Sequence, residues 1–412
     1  MEASKHNVTY SPPGYDMPTL TSLPWHIIAP TVVISYLTLV QILRFRALRR
    51  LEKKYAAYLE DPYRLDYKQA QEIMQLSMLH DEPFLFAFGT QWALVKSYGI
   101  ASGTPLLVQT RQLCDAGKVG RRAEDTAIFL GEFLAGDLDG ERGRLAMARL
   151  NWLHGRYRIS EGDYVHTLAL FVLEPQRWIE RYGWRAMTRL EKVAHLVYWR
   201  EIGHRMGFGG IPATLEALEA WKAAYEETHL YYIPENRMVT DATVDVFLRK
   251  VPRRMRGMVK DTFVSFIEEE KVRAALGYAD PPAWATALTT GFFRLRGLLI
   301  RYLALPRSRA LDPLAKPGAD GRLYRSPEFV GFEPWYVADT WYNRMALWFK
   351  AGGNPSMQPG RFQSRGFLPE ELGPAGLEKV AAALVRRQAM AMEEYVKSGG
   401  SAGVGCPFKF VQ

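Results

Sequence analysis

Leu145-Ala-Met-Ala-Arg149-Leu-Asn-Trp-Leu-His154-Gly-Arg156-Tyr157 is a stretch in which apolar residues return every three or four positions. This spacing is the period of an α-helix, so we expect a helix with one buried face. The residues that share this face are Met147, Leu150, Leu153, His154 and Tyr157. His154 therefore belongs to an apolar stripe, with an arginine close on either side.

The same helical period recurs along most of the chain, whereas the alternation typical of strands is scarce. It predicts helices at residues 84–98, 125–134, 145–157, 164–173, 187–206, 213–225, 336–349 and 377–395. Proline is poorly tolerated inside helices, so we expect helix boundaries near certain prolines. These are Pro175, Pro212, Pro234, Pro252 and Pro281. The fold class predicted is all-α.

Two segments differ from this helical pattern. Residues 306–334 contain several prolines and glycines and lack an apolar period, which indicates an ordered connecting loop. Residues 398–412 begin with a run of serine, glycine and alanine, which predicts a flexible tail. We therefore expect a single helical domain over residues 44–397.

Residues 25–43 contain no Asp, Glu, Lys or Arg, and their number suits a helix that crosses a bilayer. The alternative is a buried core helix. The basic residues that follow directly are Arg44, Arg46, Arg49, Arg50, Lys53 and Lys54. By the positive-inside rule, they predict a cytosolic main body and a lumenal segment at residues 1–24. Asn7-Val-Thr9 matches the N-glycosylation pattern, which agrees with a lumenal Asn7.

The net charge of +9 raises the question of a nucleic-acid partner. Much of this charge belongs to the basic cluster beside the apolar run, where anionic lipid headgroups are suitable partners. The sequence contains no recognisable nucleic-acid-binding module, and we expect the basic group around Arg253 to be a solvated face. Cys114 and Cys406 are the only cysteines, too few for a disulfide framework.

His154 is the first candidate functional residue. A neutral imidazole can coordinate haem iron, and guanidinium groups pair with the carboxylates of a porphyrin. The alternative is a hydrogen-bonded core histidine, which the spacing alone does not exclude. His195 and His204 lie beside an aromatic run that includes Trp199, a pattern more typical of core packing than of a cofactor pocket.

His204 and a further histidine, His229, suggest a different metal chemistry. Glu201-x-x-His204 and Glu226-x-x-His229 have the spacing found in di-iron helical bundles. Such a site also needs a carboxylate from each of two further helices, and none is evident in the sequence. A non-haem di-iron oxidase and a non-catalytic, membrane-tethered binding protein therefore stay open as alternatives.

Several motifs resemble those of one family. They are Arg122-Ala-Glu-Asp125-Thr126, residues 149–157, Thr167-Leu-Ala-Leu-Phe-Val172, Glu82-Pro-Phe-Leu-Phe86, Gln91-Trp-Ala-Leu94, Trp184-Arg185, Leu190-Glu191 and Cys406-Pro-Phe408. Together they resemble the fungal membrane-bound oxygenases typified by MpaB of mycophenolic acid biosynthesis, which are related to the bacterial rubber oxygenases, or latex clearing proteins. The resemblance covers most of the chain from about the first helix onward.

The resemblance implies a globin-like or rubber-oxygenase type of helical domain and gives roles to particular residues. His154 is implied as the axial ligand of a b-type haem, and Arg122 and Thr126 as the polar side of the pocket. The rubber oxygenases have an Arg-x-x-Lys-Thr pattern at this point. In the present sequence Asp125 occupies the position of that lysine, so a lysine-capped haem is not expected. His166, on the next predicted helix, is a second candidate for the cofactor pocket.

The activity implied by the resemblance is an oxidative cleavage. Haem and dioxygen would cleave a carbon-carbon double bond in the isoprenoid chain of a lipophilic secondary-metabolite intermediate. The expected location is the endoplasmic reticulum membrane, with a single transmembrane helix and a cytosolic catalytic domain. The expected partners are that prenylated substrate and the membrane itself.

Overall fold

The fold is built almost entirely from helices, as a computed structural model shows for residues 24–249 and 251–398. The helices are α1 (Trp25–Arg44), α2 (Arg46–Lys54), α3 (Tyr67–Gln75), α4 (Pro83–Ser97), α5 (Thr104–Thr110), α6 (Val119–Leu134), α7 (Glu141–His154), α8 (Glu161–Tyr182), α9 (Arg189–Arg205), α10 (Leu215–His229), α11 (Pro234–Leu248), α12 (Arg256–Ser265), α13 (Glu270–Ala275), α14 (Ala283–Tyr302), α15 (Trp341–Lys350) and α16 (Ala382–Lys397). Asn7, Cys406 and most of the predicted tail lie outside the described residues. The all-α prediction is confirmed.

The connecting region before α15 contains the two strands of the described residues. β1 (Lys316–Pro317) and β2 (Leu323–Tyr324) pair antiparallel, with Lys316 opposite Tyr324. A bridge between Leu323 and Phe367 ties this hairpin to a later loop. The region predicted as an ordered loop is therefore held by backbone pairing rather than by helices.

Local signals explain where α7, α8 and α9 begin or end. Ser160 caps α8 by accepting a hydrogen bond from the Asp163 amide, and Thr188 forms a capping box with Glu191 at the start of α9. α7 ends at His154, with Gly155 as its C-cap, three residues before the predicted end. This places His154 at a helix terminus.

The predicted boundary at Pro175 is wrong, because this proline lies inside α8. Helix α8 packs along α4, and the two helices approach each other closely where Gly89 lies against Pro175. A Cβ atom on Gly89 would be 2.6 Å from the Pro175 Cα atom. The tertiary contact thus stabilises a helix that the proline alone would disfavour.

Most side chains of helix α1 are exposed. The segment Trp25–Lys54, formed by α1 and α2, contains an 18-residue window with a mean hydropathy of 1.8. Only 6% of this window is buried. It is the one segment of the described residues long and apolar enough to cross a membrane, judged by length and composition. The exposure of its apolar side chains argues against the alternative of a buried core helix.

Candidate active site

A cavity of about 340 Å³ lies among helices α4 to α9 and α11. This volume falls in the range of about 300–1,000 Å³ that is usual for small-molecule sites. Apolar side chains form most of the wall, and a few polar groups converge on it. Arg122, Thr126, His154 and His166, all singled out from the sequence, line this one cavity.

His154 is held neutral by its surroundings. Burial, together with the smaller effect of the positive charge of Arg122, lowers the pKa of its imidazole to about 4. Its ring centroid lies 5.8 Å from that of Tyr164, and its buried Nδ1 atom has no hydrogen-bond partner among the described residues. A neutral ring with an unpaired nitrogen is suited to bind a metal or a hydrogen-bonding ligand.

Arg122 and Thr126 form a local pair on α6. An Arg122 Nη1 atom donates a hydrogen bond to Thr126 Oγ1, and the Thr126 hydroxyl in turn donates to the Arg122 carbonyl oxygen at 2.8 Å. The four-residue spacing brings both side chains to one helix face, as the sequence predicts. Their position gives the cavity a cationic, hydrogen-bonding wall.

Asp125 lies on a different face of α6 and does not line the cavity. Its carboxylate accepts a hydrogen bond of 2.7 Å from the Tyr336 hydroxyl, and Arg121 Nε lies 3.9 Å away. Burial raises the pKa of Asp125 to about 6, against the opposing effects of Tyr336 and the arginines. Asp125 therefore joins α6 to the loop before α15.

His166 is buried beside the cavity on α8. Its Nε2 atom lies 3.0 Å from Glu226 Oε1, and burial lowers the pKa of the imidazole. Burial also disfavours the Glu226 carboxylate, yet the hydrogen bond with His166 and the charge of Lys222 lower the pKa of Glu226 to about 2. One ring nitrogen of His166 is thus hydrogen-bonded to a carboxylate.

The Glu-x-x-His pairs do not form a metal site within the described residues. Glu201 accepts a hydrogen bond of 2.8 Å from Arg205, and Glu226 is shared by His166 and Lys222. His229 stacks on Tyr225 at 4.0 Å between ring centroids. Among the residues that can be described, no group of three or more His, Cys, Asp or Glu side chains is arranged to hold a metal ion.

Other cavity residues were not identified from the sequence. Trp199, which was grouped with core packing, stacks on Phe171 at 4.7 Å, and both rings line the cavity. Thr243 and Phe247 come from α11, and Phe332 comes from the loop before α15 and packs 4.9 Å from Phe247. Thr243, Phe247 and Phe332 come from distant parts of the chain, and no local motif marks them.

The sequence matches one described family and several curated relatives. Residues 76–301, more than half of the chain, match the family described as "ER-bound oxygenase mpaB/B'/Rubber oxygenase, catalytic domain". The ER-bound oxygenase mpaB' of Penicillium brevicompactum is 28% identical over 382 residues, which cover 86% of this chain and 89% of that protein. The ER-bound oxygenase mpaB of Penicillium roqueforti (strain FM164) is 29% identical over 273 residues, 62% of this chain and 91% of that protein.

Among solved structures, latex clearing protein LCP in the closed state is 16% identical and has a TM-score of 0.34. That match covers 68% of this chain and 83% of the other chain, and the score is too low to support a statement about the fold. The family match stands on the sequence, and it includes the helices that carry Arg122, His154 and His166. The chain belongs to the family of ER-bound oxygenases mpaB/B' and rubber oxygenases, and it is an oxygenase.

Proposed function

We propose that this oxygenase uses haem and dioxygen to cleave a carbon-carbon double bond in the isoprenoid chain of a lipophilic secondary-metabolite intermediate. The observation that supports this most directly is the neutral imidazole of His154, which has an unpaired nitrogen and lines an apolar cavity. The hydrogen-bonded pair of Arg122 and Thr126 lines the same cavity. Membership of the oxygenase family supports the class of reaction, an oxygenation.

The residues present fit a haem group. His154 would hold the haem iron, because its pKa of about 4 leaves the ring unprotonated near neutral pH. Arg122, oriented by Thr126, would pair with a haem carboxylate. A bound haem would supply the iron chemistry that activates dioxygen.

The remaining walls suit an apolar substrate. Leu94, Leu130, Leu168 and Phe129 line the cavity, so a prenyl chain would bury its surface there without leaving polar groups unpaired. These side chains would also exclude water from the imidazole. His166, already paired with Glu226, would act as a neighbouring polar group of the pocket rather than as an iron ligand.

Helix α1 would anchor the enzyme in the endoplasmic reticulum membrane. The exposed basic residues after it, among them Arg46, Arg49 and Arg50, favour a cytosolic position of the catalytic domain. A lipophilic substrate concentrates in the bilayer, so an anchor keeps the cavity close to it. The relatives named ER-bound are consistent with this location.

The absorption spectrum of purified protein tests the role of His154. We expect a Soret band in the wild type and a strongly reduced band, with less bound iron, in His154→Ala. The matched control is His204→Ala, because His204 is also partly buried on a helix but does not line the cavity. We expect His204→Ala to keep the wild-type band.

Two results would contradict this proposal. An undiminished band in His154→Ala would remove His154 from the ligand role. A wild-type protein with iron but no Soret band, whose iron is lost in His204→Ala, would instead favour the non-haem alternative.

A further inference from the structure

Helix α14 exposes an apolar face. Its residues Trp284, Leu288, Phe292, Leu295, Leu298, Leu299 and Tyr302 are each between 45% and 57% exposed. At 100° per residue these side chains fall on one side of the helix. The opposite side is buried through Ala285, Thr289, Phe293 and Gly297. A helix with one buried side normally presents polar residues to water, so the exposed apolar face needs a cover.

The charges of α14 are of one sign. The helix contains Arg294, Arg296 and Arg301 and no Asp or Glu. Arg296 is paired with Glu82 at 3.0 Å, whereas Arg294 and Arg301 are exposed at the edge of the apolar face. An apolar face with arginines along its border is the pattern of a helix that lies in a membrane interface, where the cations meet anionic headgroups.

The C-terminal end of α14 is attached to α1. The Tyr36 hydroxyl donates a hydrogen bond of 2.7 Å to the Leu303 carbonyl, and Gln41 Nε2 donates one of 2.9 Å to the Arg301 carbonyl. Arg44 also donates to the Ala304 carbonyl. These contacts fix the end of α14 against the last three turns of α1.

The position of these contacts along α1 sets a depth. Tyr36 precedes Arg44 by eight residues, which is about 12 Å along a helix axis. Leu303 contacts Tyr36 and the next residue, Ala304, contacts Arg44, so if Arg44 marks the cytosolic interface, the end of α14 lies between that interface and a depth of about 12 Å, within the cytosolic leaflet. This step rests on the proposed membrane-spanning role of α1.

We propose that α14 is a second membrane-contacting element, which lies in the cytosolic leaflet with its apolar face among the acyl chains. Arg294 and Arg301 contact anionic headgroups. The cover is lipid rather than a second copy of this chain, because two copies joined through this face would bring their arginine borders together without acidic partners on α14.

This contact would orient the catalytic domain. Phe293, on the buried side of α14, packs 5.3 Å from Phe88 of α4, and the next turn of α4 lines the cavity through Gln91 and Leu94. A single spanning helix can tilt in the bilayer together with the domain attached to it, whereas membrane contact by both α1 and α14 would hold α4 at a defined distance from the bilayer.

Site-specific quenching in the full-length chain tests the proposal. Cys114 and Cys406 are replaced by serine, and one fluorophore is attached to Leu295→Cys in phosphatidylcholine–phosphatidylserine nanodiscs. We expect doxyl-labelled lipid to quench this label several-fold more than a label on Ala220→Cys, an exposed site of α10 beside Glu216 and Glu219. Aqueous acrylamide should show the reverse order. Omitting phosphatidylserine should reduce the lipid quenching.

The outcomes separate this inference from the anchor. Equal acrylamide quenching at Leu295→Cys and Ala220→Cys would overturn membrane contact by α14. Shielding of the Leu295 label from both quenchers would overturn it as well, in favour of a protein cover. A label on Val33→Cys in α1 reports the anchor separately, and Leu288→Cys repeats the α14 measurement if Leu295→Cys does not fold.

Discussion

Arg149 and His154 are close in sequence but face different parts of the molecule. Five residues on a helix correspond to a rotation of about 140°. His154 therefore reaches the cavity, while Arg149 is fully buried and its guanidinium donates to the carbonyls of Leu372, Leu377 and Val380 at 2.7, 2.8 and 2.9 Å. Burial lowers its pKa to about 10, so it stays charged near neutral pH. Arg149 holds the C-terminal segment rather than a haem carboxylate.

Arg149→Met should therefore destabilise the fold. Three carbonyls would lose a charged donor, and that of Leu372 is buried, where an unsatisfied group costs about 1–3 kcal/mol, so we expect a loss of at least about 1 kcal/mol in the free energy of unfolding. The control is Arg156→Met, since Arg156 is exposed and lies 5.1 Å over the Trp152 ring. Denaturant unfolding in detergent measures both, and equal stabilities would show that the three hydrogen bonds contribute little.

Among the secondary-structure elements, the crossing of α4 and α8 positions several residues that line the cavity. Gly89 allows close approach because it has no side chain, and Pro175 has no amide hydrogen to leave unpaired at that point. Thr90 and Gln91 follow Gly89 on α4, and Thr167 and Phe171 precede Pro175 on α8. Gln91 on α4 and Phe171 on α8 therefore line the cavity at about one turn or less from the contact.

Gly89→Ala should disturb this crossing. Its Cβ atom would lie 2.6 Å from the Pro175 Cα atom and 2.8 Å from the Pro175 nitrogen, so the backbones must separate. We expect a loss of about 1–3 kcal/mol in the free energy of unfolding, as for other overpacked sites. Gly131→Ala on α6 is the control, because a Cβ there meets nothing within 4 Å and should stabilise the helix by up to about 1 kcal/mol. A neutral Gly89→Ala would mean that the helices can move apart without cost.

For the whole molecule, burial of histidines links stability to pH. Burial lowers the pKa of His154 to about 4 and that of His195 to about 3, and it lowers the pKa values of His166 and His204 as well. Unfolded histidines titrate near pH 6.5, so between about pH 6.5 and 4 the unfolded state binds more protons. The stabilisation is present above pH 6.5 and is lost as the pH falls toward the folded pKa values.

His195→Phe isolates one of these groups, since His195 is fully buried beside Phe86 and does not line the cavity. We expect the free energy of unfolding to fall less steeply between pH 6.5 and 4 than in the wild type, by up to about 1.4 kcal/mol per pH unit. Asp125, whose pKa is raised to about 6, acts with the opposite sign in both proteins. Identical slopes for the two proteins would contradict a buried, neutral His195.

The sequence alone was sufficient for features that depend on near neighbours. The helical period predicted the all-α fold, the four-residue spacing predicted that Arg122 and Thr126 share a face, and the uncharged run predicted the apolar helix α1. The motifs also pointed to the family and to His154. These properties follow from backbone geometry and hydropathy within a few turns, so a linear pattern contains them.

The tertiary structure decided which helix faces are covered. It turned Asp125 toward Tyr336 and Arg149 toward the C-terminal segment, and it brought Phe247 and Phe332 to the same cavity as His154. It also left one face of α14 exposed and tolerated Pro175 inside α8. A helical period shows that a face is apolar, but what lies against that face depends on chain segments far away in sequence.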